Sequence, residues 1–375
     1  IVGGIATLGI GAVLAALAIG WMETRVTAGI VLAVIAFMLI GVGVGAAGTS
    51  LLVLLAKRVE ERRRAAAATV VWVMMILGFV ITTMAVGKVL DPYSASRLVA
   101  ITACVSIVAL ALTLLVVRGI EPPSTPTLPS AATATVAKPA FREALAQVWN
   151  EPQARRFTIF VFVSMLAYSA QDLILEPFAG SVFAMTPGQS TQLSGIQNSG
   201  VLLGMILVAV ACSIIGGPRL GSLRTWTILG CIASAFALAG LAAAGWVGPG
   251  WPLKANVFLL GASNGAFAVA AIGSMMALAG AGRESREGVR MGLWGAAQAI
   301  AFGLGGFLGA AGSDLARMLL DSQGVAYGIV FGVEGLLFIL AAVIAAGVHS
   351  TTAPPHSPGT LASLANAMST REKAA

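Results

Sequence analysis

The chain has 375 residues, of which 58% are hydrophobic and only 10% are charged, and its mean hydropathy is +0.93. This composition excludes a water-soluble domain and indicates a membrane protein. The net charge of +7 requires no nucleic-acid partner, because positive loops beside anionic lipid account for it. The three cysteines show no CxxC pair and no metal-ligand spacing, so no metal site is predicted.

Ten apolar segments follow one another along the chain, and each is long enough to cross a bilayer. A helix needs about 20 apolar residues to span the hydrocarbon core, and it satisfies its own backbone polar groups there. The segments are continuous and rich in Leu, Val and Ala, which favours helices over a β-barrel. The predicted class is an all-α polytopic membrane protein. The predicted spans are residues 1–22, 28–56, 65–87, 97–117, 157–178, 194–215, 225–247, 255–281, 289–312 and 325–348.

The loops between these segments differ in charge. Those on one side carry 17 of the 22 Lys and Arg residues, including the run from Lys57 to Arg64 and the group Arg283, Arg286 and Arg290. Positively charged loops are retained in the cytoplasm. We therefore expect this side, together with the C-terminus, to be cytoplasmic.

One pattern occurs twice along the chain. Each copy has a GxxxG pair, then a basic loop, then a Trp eight positions after an Arg, and finally an Asp. GxxxG glycines suit close contacts between membrane helices, and the Asp residues suit capping at helix ends. A repeated pair of helices is typical of transporter-like folds. The first copy holds Gly41, Gly45, Trp72 and Asp91, and the second holds Gly261, Gly265, Trp294 and Asp314.

The repeat and the loops predict two parallel halves of the major facilitator type. A long segment, residues 119–156, separates four predicted helices (1–118) from six (157–348). The repeated pair is second and third in the first half but fourth and fifth in the second half. The first two helices of a six-helix first half are therefore expected to be absent from this chain. Two six-helix halves joined by a cytoplasmic loop define the major facilitator architecture.

The joining segment and the tail have different compositions from the spans. The segment begins with a Pro-, Ser-, Thr- and Ala-rich stretch that is typical of a flexible linker. Near its end Phe141, Leu145, Val148 and Trp149 fall on one helical face, which predicts a short helix at the cytoplasmic interface. Residues 349–375 have the composition of a disordered tail.

Seven polar side chains inside the spans are candidates for a pigment- or substrate-binding site, because such groups are costly in lipid and usually face the bundle interior. Glu334, near the midplane of the last helix, is the strongest functional candidate. Asp172 either pairs with a neighbouring helix or lines a cavity, whereas Glu176 suits an interfacial or capping role. Asn264 and Gln298 suit hydrogen bonds between helices. The seven are Gln171, Asp172, Glu176, Asn198, Asn264, Gln298 and Glu334.

Motifs for chemistry on a substrate are missing from the sequence. No P-loop and no HExxH metal motif occurs, and no Asp-rich cluster for metal-diphosphate chemistry occurs. We therefore interpret the chain as a non-enzyme.

The string QDLILEPFAG at residues 171–180 resembles the PucC/LhaA family of phototrophic bacteria. The resemblance extends over nearly the whole chain, and residues 41–50 are similar to the branch of the family encoded among bacteriochlorophyll-synthesis genes. Its other strings are RRF at 155–157, SMLAY at 164–168, GVGVGAAGTS at 41–50, WVMMILG at 72–78 and LDP at 90–92.

The resemblance implies a twelve-helix protein of the bacterial inner, intracytoplasmic photosynthetic membrane that assists assembly of light-harvesting complexes. It implies transient binding of bacteriochlorophyll and its delivery to antenna polypeptides. A bacteriochlorophyll synthase or a reaction-centre complex is a further implied partner. Some members carry an older label as a bacteriochlorophyll synthase chain, which we interpret as association with the enzyme.

Two alternatives remain open. The chain could be a structural subunit of a photosynthetic or pigment-synthase complex, or a proton-coupled transporter of a small solute with Asp172 or Glu334 as proton relay. The only histidines are His349 and His356, at and beyond the end of the last span. A bound pigment would therefore use Gln, Asn, Glu, a backbone carbonyl or water as its magnesium ligand, which fits transient carriage.

Overall fold

The computed structural model describes residues 1–59, 64–118, 146, 148–212, 221–280 and 287–348. Within these residues ten α-helices are long and apolar enough to cross a membrane, which confirms the all-α polytopic class. The helices are α1 (Val2–Met22), α2 (Val26–Arg58), α3 (Arg64–Val89), α4 (Ala95–Val117), α5 (Pro152–Phe183), α6 (Pro187–Val210), α7 (Leu223–Val247), α8 (Leu253–Gly280), α9 (Glu287–Leu319) and α10 (Gln323–Ala346).

Helix α5 is longer at both ends than the predicted span of residues 157–178. It begins inside the segment assigned to the linker, with Pro152 in its first turn, where the missing N–H of proline costs no helical hydrogen bond. It also continues through Pro177 and ends at Ala184, whose left-handed φ of 52° stops the helix.

Helix α6 begins seven residues before the predicted span of residues 194–215. Thr186 caps it: the Thr186 hydroxyl accepts a hydrogen bond from the Gln189 N–H at 3.2 Å, and the Gln189 side chain accepts one from the Thr186 N–H at 3.1 Å. Hydropathy missed these first turns because they are rich in Ser, Thr and Gln.

The helices pack into two groups that meet through one helix pair. Helix α1 packs on both α2 and α4. Helices α5 to α10 form a second bundle in which α7 packs on α8 and α10, while α5 packs on α9 and α10. Helix α3 has its extensive contact with α6 of the second bundle. We call the end of the molecule where α5 and α7 begin the basic end, and the other the opposite end.

Glycines bring α6 and α8 into backbone contact. A Cβ atom at Gly261 or Gly265 of α8 would overlap the carbonyl oxygens of Gln197 and Val201 on α6. The reverse holds for Gly200 and Gly204 of α6, where a Cβ would overlap the carbonyl oxygens of residues 258 and 262 on α8. Each helix therefore presents a GxxxG face to the other.

The first copy of the glycine pattern behaves differently from the second. No described atom lies within 4 Å of a Cβ placed at Gly41 or Gly45, so the predicted close contact is not found there. The close approach of α1 and α2 falls instead on Gly4 and Gly43, whose added Cβ atoms would meet the backbone of the facing helix. Both glycines face a helix across a tight interface, whereas Gly41 and Gly45 do not.

Several predictions fall outside the described residues. These are the body of the linker with Phe141 and Leu145, and the tail with His349 and His356. Of the predicted interfacial helix, Val148 is buried and Trp149 is exposed, so these two do not share one buried face.

Candidate functional site

Two acidic side chains of α5 bond to α6 in the half of the membrane toward the opposite end. The Gln197 side-chain amide donates a hydrogen bond of 3.1 Å to the Asp172 carboxylate. One turn further along, the Ser194 hydroxyl donates one of 2.7 Å to the Glu176 carboxylate. Both acidic side chains are exposed at the surface of the second bundle, so α5 and α6 present a polar strip there.

Gln171 and Glu334 lie inside the second bundle rather than on this strip. Gln171 is 1% exposed and Glu334 is 2% exposed. Among the described residues, neither atom of the Gln171 amide and neither oxygen of the Glu334 carboxyl has a hydrogen-bond partner. Gln171 directly precedes Asp172 on α5, and α10, which carries Glu334, packs on α5, so the two buried residues lie beside the exposed strip and are treated with it as one candidate site.

The other three predicted residues are not part of this site. Asn264 is fully buried between α8 and α7, where its side-chain oxygen accepts a hydrogen bond of 2.8 Å from Ser234. Asn198 donates to the backbone oxygen of Ser194 within its own helix at 2.9 Å. Gln298 is half-buried on α9.

An aromatic cluster closes the buried side of the site toward the opposite end. Phe178 of α5 meets Tyr327 and Phe331 of α10 with ring centroids 5.7 and 5.1 Å apart, in edge-to-face arrangements. All three side chains are fully buried. These rings separate the buried pair, Gln171 and Glu334, from the opposite end of the bundle. The polar route by which a ligand could reach the site is therefore the side that carries Asp172.

Thr186 and Asp91 join the two helix groups at the opposite end. The Thr186 hydroxyl donates a hydrogen bond of 2.9 Å to Asp91, and Gly87 and Gly188 let the backbones of α3 and α6 approach closely beside it. The predicted capping role of Asp91 did not include this partner on another helix. The pattern Thr-x-x-Gln at residues 186–189 is a capping-box signal that would have revealed the start of α6.

Arginine side chains join the second bundle at the basic end. Arg290 at the start of α9 pairs with Glu151 at the start of α5 and is buried. Arg156 and Arg224 donate to the backbone oxygens of Gly347 and Ala346 at the end of α10, the first of them at 3.2 Å. These contacts satisfy carbonyl groups that a helix end leaves free.

Two features bear on chemistry at the site. No group of three His, Cys, Asp or Glu residues that could hold a metal ion occurs within the part of the chain that the structure describes. The expectation that no catalytic motif occurs was wrong for one pattern: residues 261–265 read GASNG and match a hydrolase nucleophile elbow, which requires a strand-to-helix turn. Here they lie inside α8, and the Ser263 hydroxyl donates to the Leu259 backbone oxygen at 2.8 Å.

Solved structures of similar fold are membrane transporters. A bacterial homologue of the human lysosomal transporter Spinster, in an inward-facing and unoccupied conformation, aligns over 95% of this chain and 85% of its own, with a TM-score of 0.61 and 14% identity. A variant of the nucleoside transporter NupG covers 92% of this chain and 90% of its own, with a TM-score of 0.54 and 15% identity. The chain is therefore a multi-pass membrane protein with a fold of the major facilitator type.

Comparison of the sequence with known proteins identifies the family of this chain. The family model described as PUCC protein matches residues 1–353, and the chain belongs to that family. The Bacteriochlorophyll synthase 44.5 kDa chain of Rhodobacter capsulatus is 50% identical over 366 residues, which are 96% of this chain and 82% of that protein. Protein PucC of Rhodobacter capsulatus is 27% identical over 320 residues, 84% of this chain and 67% of that protein. The predicted resemblance to this family is confirmed.

Proposed function

We propose that this chain is an assembly factor of bacterial light-harvesting complexes that carries bacteriochlorophyll to antenna polypeptides within the membrane. The observation that carries the proposal is the match of the PUCC family over residues 1–353, together with a relative of 50% identity that is named for bacteriochlorophyll synthesis. The major facilitator fold suits the carriage of a cargo, because its two helix groups can move against each other.

The polar strip on α5 and α6 is the part of the site that a pigment could reach. Asp172 is exposed and hydrogen bonded to Gln197, so oxygen atoms face outward at this place. Magnesium prefers oxygen ligands, either directly or through water. Gln171 and Glu334 are too deeply buried to touch a large flat pigment without movement of α5 or α10. We assign contact with the cargo to Asp172, whose carboxylate the buried Gln197 orients.

Weak ligation of the pigment's magnesium would suit delivery of the pigment to another protein. Histidine is a strong and common axial ligand, and the sequence has histidine only at positions 349 and 356. A carboxylate or amide contact, shared with water, would let the pigment pass to an antenna polypeptide. This proposal includes no catalytic step, and the word synthase in the name of a relative supports association with a pigment-forming enzyme.

The proposal also includes the membrane in which the chain lies and its orientation there. We place the chain in the photosynthetic inner membrane with its basic end in the cytoplasm, because positively charged loops are retained there. Arg155, Arg156 and Arg224 lie at this end.

The test combines genetics with gentle purification from phototrophically grown cells. Cells that carry Asp172→Leu in place of the wild-type protein should contain less light-harvesting complex, measured by absorption of their membranes, while the variant remains present in the membrane. Asp314→Asn, at an exposed carboxylate of the opposite end, is the matched control and should leave the complexes unchanged.

The purified wild-type protein should carry substoichiometric bacteriochlorophyll together with antenna polypeptides. A stoichiometric complex without exchangeable pigment would instead identify a structural subunit. A colourless and partner-free protein, with normal antenna in cells that lack it, would contradict the proposal and redirect the function to solute transport.

A further inference from the structure

Gln171 and Glu334 lie inside the second bundle, each seven residues from one member of the Phe178–Tyr327 contact between α5 and α10. Helices α5 and α10 run antiparallel, with Arg156 against Gly347 near the basic end and Phe178 against Tyr327 near the opposite end. From the first contact, Gln171 is 15 residues along α5 and Glu334 is 13 residues back along α10. At about 1.5 Å rise per residue, these are about 22 and about 20 Å, so both lie at nearly the same depth.

Four buried polar atoms lie near this depth without described partners: the two oxygens of Glu334 and the oxygen and nitrogen of the Gln171 amide. Buried polar groups in proteins are nearly always hydrogen bonded, and those in a membrane interior are costly when they are not. A carboxylate offers only acceptors, whereas a carboxylic acid offers one donor and one acceptor. A carboxamide offers the complementary acceptor and donor.

Charged groups near Glu334 do not neutralise it. Helix α7 has its one charged residue, Arg224, at the basic end, and the charged residues of α9 lie near its two ends. Helix α5 contributes Asp172, whose negative charge repels a carboxylate at position 334. The remaining titratable side chains on α5, α7 and α10 are Tyr168 beside Asp172, Glu176 on the polar strip, Tyr327 in the aromatic cluster, the buried thiol of Cys231, and Arg155 and Arg156 at the basic end. No described cation therefore lies at the depth of Glu334.

We propose that Glu334 is a proton-binding site and that Asp172 exchanges this proton with the outside. The two side chains are not hydrogen bonded to each other in the structure, and their rotation would pair the acid form of Glu334 with the Gln171 carboxamide through two hydrogen bonds. In that pair the Glu334 O–H donates to the Gln171 side-chain oxygen, and the Gln171 amide N–H donates to the Glu334 carbonyl oxygen. One added proton thus satisfies all four buried atoms. Loss of the proton leaves a buried negative charge beside Asp172 and weakens the packing of α5 on α10.

Protonation of Glu334 does not require a bound cargo, so it can be tested without pigment. Infrared spectra of the full chain in lipid nanodiscs at neutral pH should show the carbonyl absorption of a protonated carboxylic acid. Glu334→Gln should remove this band, while the matched control Glu176→Gln, at an exposed carboxylate on the same polar strip, should retain it. Asp172→Asn should slow the shift of the band on transfer to deuterated water.

A second variant tests the pairing if Glu334→Gln does not fold. Gln171→Met keeps the volume of the side chain but removes its hydrogen bonds, so the band should move to higher frequency. A wild-type spectrum without the band, or a band that survives Glu334→Gln, would overturn the proposal. So would the absence of the band together with an unfolding temperature that rises with NaCl but not with choline chloride, because this result would assign the site to sodium.

Discussion

The Thr186 hydroxyl donates a hydrogen bond of 2.9 Å to the Asp91 carboxylate, and this bond joins the start of α6 to the segment just beyond the end of α3. Thr186 at the same time caps α6 through Gln189. The negative charge of Asp91 lies at the N-terminus of α6, where a helix favours anions. The Asp91 carboxylate therefore adds a polar bond to the close packing of α3 on α6 at the opposite end.

Removal of this carboxylate should weaken the contact between the groups. Asp91→Ala loses both the hydrogen bond and the favourable charge, so the free energy of unfolding should fall by about 1–2 kcal/mol. Thermal unfolding in detergent measures the change. Asp314→Ala is the control at the other copy of the repeat: Asp314 pairs with Arg317 on its own helix and is 63% exposed, so little change is expected. Equal losses in both variants would contradict the role given to Asp91.

The glycine face of α8 should not accept a side chain. Gly261→Val introduces atoms where the Gln197 carbonyl oxygen lies, so α6 and α8 must separate, at a cost of about 1–3 kcal/mol. The yield and unfolding temperature of the purified protein measure the effect. Gly41→Val, at the equivalent place of the first copy, meets no described atom and should be tolerated much better. A strong loss for Gly41→Val would show that another helix covers this face.

The buried ion pair at the basic end should be sensitive to loss of one partner. Arg290→Met leaves Glu151 without its partner in a half-buried place, which should cost about 3 kcal/mol. Arg155→Met, at an exposed side chain of the same end, is the matched control. The comparison is made by chemical unfolding of both variants. An Arg290→Met protein as stable as the control would show that the pair contributes little.

The hydrogen bond between Ser234 and Asn264 should stabilise the contact of α7 with α8. Ser234→Ala leaves the fully buried Asn264 oxygen without this donor, and such a group costs about 1–3 kcal/mol. Ser263→Ala removes a hydroxyl that bonds to its own exposed helix turn and should change the stability by less than half as much. The unfolding midpoints of the two variants measure the difference. Equal midpoints would show that the bond between Ser234 and Asn264 contributes nothing to stability.

Much of the fold could be predicted because membrane helices are local features of hydropathy. All ten spans were found, and errors in their ends arose where polar residues are helical, as in the first turns of α6. The partners of the helices could not be predicted in this way. Asp91 and Asp314 occupy equivalent places in the repeat, yet one bonds across to α6 and the other pairs with Arg317 three residues further along α9.

The candidate site could likewise be predicted only in part. The cost of polar groups in lipid identified Gln171, Asp172 and Glu334, which the structure brings into one region. The same rule could not separate them from Asn264, whose partner Ser234 is on a different helix. It also gave no sign that Trp294 is buried against Phe157 with ring centroids 4.9 Å apart, while Trp72, its repeat counterpart, is exposed. Burial depends on which helices are neighbours, and hydropathy does not contain that information.

The backbone contact of α6 with α8 has a mechanical consequence. No layer of flexible side chains separates these two helices at their glycines, so we expect α6 to move together with α8 as one stiff rod. This rod holds Thr186 at one point and Gln197 eleven residues, or about 16 Å, further along. A tilt of α6 that pulls Thr186 from Asp91 therefore also pulls Gln197 from Asp172. In a double-mutant cycle, the effects of Asp91→Ala and Gln197→Leu on the free energy of unfolding should be non-additive. Separation of α6 from Asp91 would then also weaken the hydrogen bond that orients the Asp172 carboxylate.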